Sequence, residues 1–181
     1  KRQGWVWAAD RETTSRIRAV PAQPGGQERI VTATWLRPGE RIVDLRLARS
    51  GARAAMLVDD GQRTTLRVSG VVRGSDGVPN ALTEPILLPS SGSEDSVEWA
   101  GDTNLLVSAY AAKPDERVVP RIVSVDGTVR ELNPLGGLRG ISAGDDGAYY
   151  AETEEFVFLL VGSSWRAQEL DRGVRDLSFP D

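Results

Sequence analysis

The stretch from Arg41 to Gly74 constrains the fold more than any other, because its apolar residues recur with a period of two and turn residues break it at short intervals. Val43, Leu45 and Leu47 alternate with Asp44 and Arg46, and Ser50-Gly51 then interrupts the run. A second apolar run covers Ala54 to Val58. Asp59-Asp60-Gly61 leads from it into Leu66, Val68 and Val72, which alternate with Arg67, Ser69 and Arg73. Alternation at every second position is the signature of a strand, and an Asp-Gly step supplies the turn between antiparallel neighbours. A fourth strand is expected from Thr83 to Leu88, after a loop marked by Asp76-Gly77 and Pro79. A meander this short cannot bury both of its faces alone, so it requires others like it.

Similar units recur along the chain. Gly4 to Ala8, Arg16 to Val20 and Ile30 to Trp35 read as three strands of a first unit, separated by the loop Pro21 to Gly26. Val97 and Trp99 open a third unit, continued by Leu105 to Tyr110 and by a hairpin of Arg121 to Val125 and Thr128 to Leu132 around Asp126-Gly127. Leu138 to Ala143, Ala148 to Glu152, Phe156 to Val161 and Trp165 to Leu170 repeat the pattern, and Val174 to Phe179 reads as one more inner strand. The units therefore span residues 1–36, 42–88, 95–132 and 138–170, with 174–179 left over. Their first strands are spaced loosely around the roughly 40 to 50 residues of a propeller blade. No stretch of a dozen residues has the 3.6-residue period of a capped helix. The expected fold is all-β, a β-propeller of four-stranded antiparallel blades with about four units in one domain. A sandwich is the competitor, but Phe156 to Val161 and Ile86 to Leu88 are apolar on both faces, which favours sheets covered on both sides. The first unit lacks an inner strand and the last consists of nothing else. The two ends could thus complete one blade and close a four-bladed ring; otherwise the segment is part of a larger propeller.

Composition removes whole classes of function. With no cysteine and no histidine, the chain offers no disulfide, no thiolate, none of the usual zinc ligands and no imidazole-based triad. A net charge of -4 lacks the footprint of a nucleic-acid binder. The longest apolar run, Phe156 to Val161, falls far short of the roughly 20 residues a membrane-spanning helix needs. Lys1 opens the chain with neither methionine nor a signal region, so the segment reads as a domain cut from a longer polypeptide.

Residues able to do chemistry sit at turns. Asp59-Asp60, Asp102 and Asp145-Asp146 lack the spacing of a calcium loop and read as turn carboxylates. Glu152, Glu154 and Glu155 could supply the two carboxylates of a glycosidase, but their hairpin position reads as solvated charge. Gly140-Ile141-Ser142-Ala143-Gly144 has the letters of a nucleophile elbow without its helix or its histidine. The five tryptophans fall in or beside strands, where packing is their ordinary use. No catalytic residue, cofactor or metal is expected. Partner contacts are expected at Arg73, which could pair with an acidic partner or with a neighbouring blade. They are also expected on the connection Ala111 to Pro120, at Lys113, Asp115, Glu116 and Arg117, since charged loops on a rigid scaffold are where recognition tends to lie. A merely solvated loop is the bland alternative.

Several stretches, in order along the chain, carry a resemblance: Gly4-Trp5-Val6-Trp7, the run from Leu45 to Ala55, Val71-Val72-Arg73, Val97-Glu98-Trp99-Ala100 and Val125-Asp126-Gly127. Together they resemble the C-terminal propeller of the LpqB family of actinobacterial lipoproteins, which carry a GerMN-type domain upstream. Where that family often has a fuller Asp-Gly turn, this chain has Ser50-Gly51. The resemblance implies an exported lipoprotein on the outer face of the cell membrane, reached only through a lipid anchor outside this segment. It also implies a non-catalytic platform that modulates the extracellular domain of a sensor histidine kinase in MtrAB-type two-component signalling, affecting cell-wall homeostasis and division. A cell-envelope glycan-binding or glycan-cleaving propeller is the alternative, and a purely structural module that positions the upstream domain is a third.

Overall fold

The computed structural model describes residues 4–9, 16–144 and 147–168. Every regular element in them is a strand. The first sheet holds β1 (Trp5–Ala9), β2 (Ile17–Pro21) and β3 (Arg29–Val31) in sequence order. The second holds β4 (Arg41–Leu47), β5 (Arg53–Asp59), the ten-residue β6 (Thr64–Arg73), β7 (Pro79–Leu82) and β8 (Ile86–Leu88). The third is built from β9 (Ser96–Ala100), β10 (Asn104–Ser108), β12 (Arg121–Ser124) and β13 (Val129–Glu131), and its long connection contributes β11 (Arg117–Val118), which pairs with β14 (Leu135–Gly136). The fourth holds β15 (Gly140–Ala143), β16 (Tyr149–Glu152), β17 (Val157–Val161) and β18 (Ser164–Gln168). All strand pairs within these sheets are antiparallel.

The sheets stand face to face. In β5 all five residues from Ala54 to Val58 are buried, and alternation splits them between two cores. Ala54, Met56 and Val58 pack against Ile17, Ala19 and Val31 of the first sheet. Ala55 and Leu57 pack against Val97, Leu105 and Val107 of the third. A further core joins Leu106, Ile122 and Leu138 to Ile141 and Ala151 of the fourth sheet. A strand buried on both sides is what radial sheets need and what a two-layer sandwich leaves unused.

Several expected elements differ. The strand expected from Thr83 to Leu88 is shortened to Ile86–Leu88. Thr83 is tied to Gly70 by Thr83 N donating to Gly70 O at 2.9 Å and Gly70 N donating to Thr83 Oγ1 at 2.8 Å, and Pro85, which has no N–H, interrupts the ladder before β8. The edge of β6 opposite β5 therefore carries two partners, β8 along Leu66 to Val68 and β7 along Val71 to Arg73. Pro79, placed in a loop by the sequence, is the first residue of β7, a strand position that tolerates proline. β7 also reaches the first sheet, because Thr32 N donates to Asn80 O at 3.0 Å and Leu82 N donates to Thr32 O at 2.8 Å. The strand expected from Ile30 to Trp35 ends at Val31; a turn closed by Leu36 N donating to Ala33 O returns Trp35 to the core, with Arg67 5.6 Å from its ring centroid. The two apolar runs that suggested two-sided cover are covered only in part: Leu88 and Val157 are buried, but Leu87 is 69% exposed and Ile86 50%, and Phe156 and Val161 are exposed. The expected strand at 174–179, and with it ring closure, lies outside the described residues.

Candidate interaction surfaces

Successive turns of an antiparallel meander fall at opposite ends of the sheet. At one end, Ser50 N donates to Asp102 Oδ1 at 3.1 Å and Arg53 Nη1 to Asp102 O at 2.8 Å, which brings the β4–β5 and β9–β10 turns together. Arg73 belongs to this end, with Nη1 donating to Gly77 O at 3.0 Å and Nη2 to Gly51 O at 3.1 Å. Both acceptors are carbonyls of its own sheet, so the guanidinium braces two turns. The connection at residues 111–120 belongs to the other end. It is anchored there by Ala111 N donating to Leu138 O at 2.8 Å and by Gly137 N donating to Glu116 O at 3.0 Å. Glu116 also accepts from Ala112 N at 2.7 Å and so shapes its own turn, and Arg117 lies in the β11–β14 pair. Lys113 and Asp115 project into solvent. The structure thus groups Lys113, Asp115, Glu116 and Arg117 and separates them from Arg73.

The other carboxylates of interest are occupied locally. Asp59 accepts from Gly61 N at 2.8 Å and from Arg41 Nη2 at 2.6 Å; Asp60 accepts from Gln62 N at 2.9 Å and Arg63 N at 3.0 Å. The backbone amides hold both acids below the usual aspartate range, with Arg41 adding to the effect at Asp59. Asp145 and Asp146 lie outside the described residues. Glu154 pairs with Arg139 at 2.9 Å on the surface. Glu152 lines a hollow of about 60 Å³ with Gly140, Ser142 and Tyr150. The first four residues of the Gly140 to Gly144 motif form β15, a paired strand, and the next described element is the strand β16. Among the described residues no cluster of three metal-ligating side chains occurs, and no helix is long and apolar enough to cross a membrane.

Two charged groupings were not anticipated. Along the first strands of sheets two and three, Arg46 lies 2.6 Å from Glu98 and 2.9 Å from Asp44, whose other oxygen accepts from Val97 N at 3.0 Å. Burial works against the Arg46 charge, but Glu98 and Asp44 outweigh it and raise its pKa; burial likewise raises the nearby Tyr110 phenol. The alternation of Asp44 and Arg46 within a strand was the available signal. The second grouping is a repeated clamp at the end opposite Arg73. Glu40 receives Arg67 through two bonds of 2.6 and 3.0 Å, and Glu94 pairs with Arg121; in each case the partners are 27 residues apart. Each glutamate also accepts the backbone N–H of the residue three positions before it, Arg37 or Ser91. The clamp ties the loop before a sheet's first strand to its third strand. A Glu…Arg pair recurring at one spacing was legible in the sequence but carries no meaning until the strands are counted.

Radial antiparallel sheets with turns clustered at two ends define a β-propeller domain. Two solved structures agree on the fold alone: candidate 6-phosphogluconolactonases from Bacteroides uniformis (TM-score 0.55, 12% identity) and Bacteroides fragilis (TM-score 0.53, 13% identity), each matched over 90% of this chain and 50% of theirs. The chain belongs to the Gmad1 family, the lipoprotein LpqB β-propeller domain, whose family model matches residues 1–180. It is also similar to the lipoprotein LpqB of Streptomyces avermitilis, 27% identical over 174 residues. That match covers 90% of this chain and 28% of the relative's length. The family is not an enzyme family by name.

Proposed function

We propose that the chain is a non-catalytic protein-interaction domain of an extracytoplasmic lipoprotein, and that it modulates the extracellular domain of a two-component sensor histidine kinase of the MtrAB type. The observation that carries this is the family match across the chain, read with a surface on which Asp59 and Asp60 serve turns and Glu154 an ion pair. The resemblance adds an upstream GerMN-like domain and a lipid anchor on the outer face of the membrane, which would set the domain beside a sensor region. Immobilised sensor region should capture the folded chain in a binding assay with purified components. Absence of capture, with the chain shown to be folded by its tryptophan fluorescence, would count decisively against the reading. Glycan hydrolysis lost on Glu152→Gln would replace it with the envelope-glycan alternative.

A further inference from the structure

β3 is an outer strand with an interrupted edge. Val31 and Arg29 face Ile17 and Ala19 of β2, and Thr32 turns its N–H and C=O the other way, to Asn80 and Leu82 of β7. Strand parity then sends the N–H and C=O of Ile30 to the same side as those of Thr32. The parallel pairing stops before it reaches them, because the Val78 carbonyl that would continue it accepts instead from Gly74 N at 2.9 Å. Between the diverging strands lies a groove of about 310 Å³ lined by Arg29, Ile30, Asp76, Val78, Pro79 and Asn80, among others. Its apolar wall is accessible, since Ile30 is 60% exposed. The Arg29 guanidinium makes no hydrogen bond or ion pair among the described residues, whereas Asp76 spends one oxygen on Val78 N at 3.0 Å.

The geometry points to this groove as a peptide-docking site that takes a short extended segment carrying an acidic residue beside an apolar one. The segment adds to the β3 edge through the Ile30 N–H and C=O, seats its apolar side chain against Ile30, Val78 and Pro79, and sets its carboxylate on Arg29. Main-chain pairing supplies affinity and the two side-chain positions supply selectivity, as in strand addition generally. The inference rests on the interaction-domain reading above and gives it a site and a ligand chemistry.

The test is selection of a displayed library of random seven-residue peptides on the 181-residue chain, followed by titration of the enriched peptides against the ¹⁵N-labelled chain. The expected result is enrichment of sequences pairing an acidic with an apolar residue, amide shifts centred on Ile30 and Asn80, and about a tenfold loss of affinity on Arg29→Glu, as for one charge-assisted contact. No enrichment, shifts centred elsewhere, or binding indifferent to Arg29→Glu overturns the proposal. So does a concentration-dependent dimer that protects the Ile30 amide, which would assign the edge to a second copy. Sensor-region capture that persists when no peptide is selected removes the groove alone. Selected peptides without sensor-region capture remove the kinase alone.

Discussion

Replacing Glu40 by glutamine keeps the shape of the clamp and removes its charge. Arg67 and Glu40 have side chains only 12% and 9% exposed, are joined by two hydrogen bonds, and share the site with the Arg37 N–H and the Trp35 ring. Breaking a buried pair from one side leaves its partner charged and uncompensated at a cost of roughly 3–5 kcal/mol. The clamp sits at the end of a sheet rather than at mid-core, so the lower value, about 3 kcal/mol, is expected for Glu40→Gln. In a domain of this size that corresponds to a fall in Tm of about 6–12 °C. Urea unfolding followed by tryptophan fluorescence measures it, and a double-mutant cycle with Arg67→Met isolates the coupling. Replacing both partners by apolar residues should be nearly neutral, because the desolvation of both ions is then avoided. The pH dependence follows from the same geometry. The Arg67 hydrogen bonds chiefly, with help from the Arg37 amide, hold the Glu40 carboxyl below its ordinary value of 4.5 against the effect of burial. The unfolded chain therefore binds the proton first, and the contribution, complete above about pH 5, is lost as pH falls through 4.5 and below. A loss under about 1 kcal/mol for Glu40→Gln, or an acid limb unchanged in the variant, would refute the argument.

Other outcomes follow from burial and backbone shape. Leu57→Ala, at a fully buried position between sheets two and three, should cost about 2–5 kcal/mol, whereas Leu87→Ala at the exposed rim should stay within about 0.5 kcal/mol, both by denaturant unfolding. Gly137 has φ +63°, and a Cβ there would lie 2.7 Å from Pro114 O. Gly137→Ala should release residues 111–117, seen as faster hydrogen exchange at the amides of Ala111 and of position 137. Carboxyl titration by NMR should place Asp59 and Asp60 below 3.8, and Arg41→Ala should raise Asp59 alone.

Much of the architecture was legible because turn chemistry is local. Asp59-Asp60-Gly61 and Asp126-Gly127 announce their hairpins by residues that bond their own backbone, and β5 announces two-sided burial by an unbroken apolar run. What misled was apolar character read as cover: Ile86, Leu87 and Phe156 have the residues of an inner strand at positions on the rim or in a turn, since hydrophobicity does not record whether a neighbour arrives. β7 was hidden for the opposite reason, because its partners are the far half of β6 and Thr32 of another sheet. The proposed contact residues illustrate the same divide. Local sequence placed Lys113 to Arg117 on one loop, but only strand parity shows that Arg73 stands at the opposite end.

The double attachment of β7 bears on how the domain comes apart. Because one short strand is bonded to β6 on one side and to Thr32 on the other, the first two sheets are laced at their rim and cannot separate without breaking main-chain bonds as well as a core. The strands of the fourth sheet join their neighbour mainly through side chains, with one main-chain bond from Ala111 N to Leu138 O just before β15 and with Phe158 and Leu160 only half-buried. Slow local opening should therefore begin at β17 and spread inward, leaving the laced pair as the last part to exchange its amides with solvent.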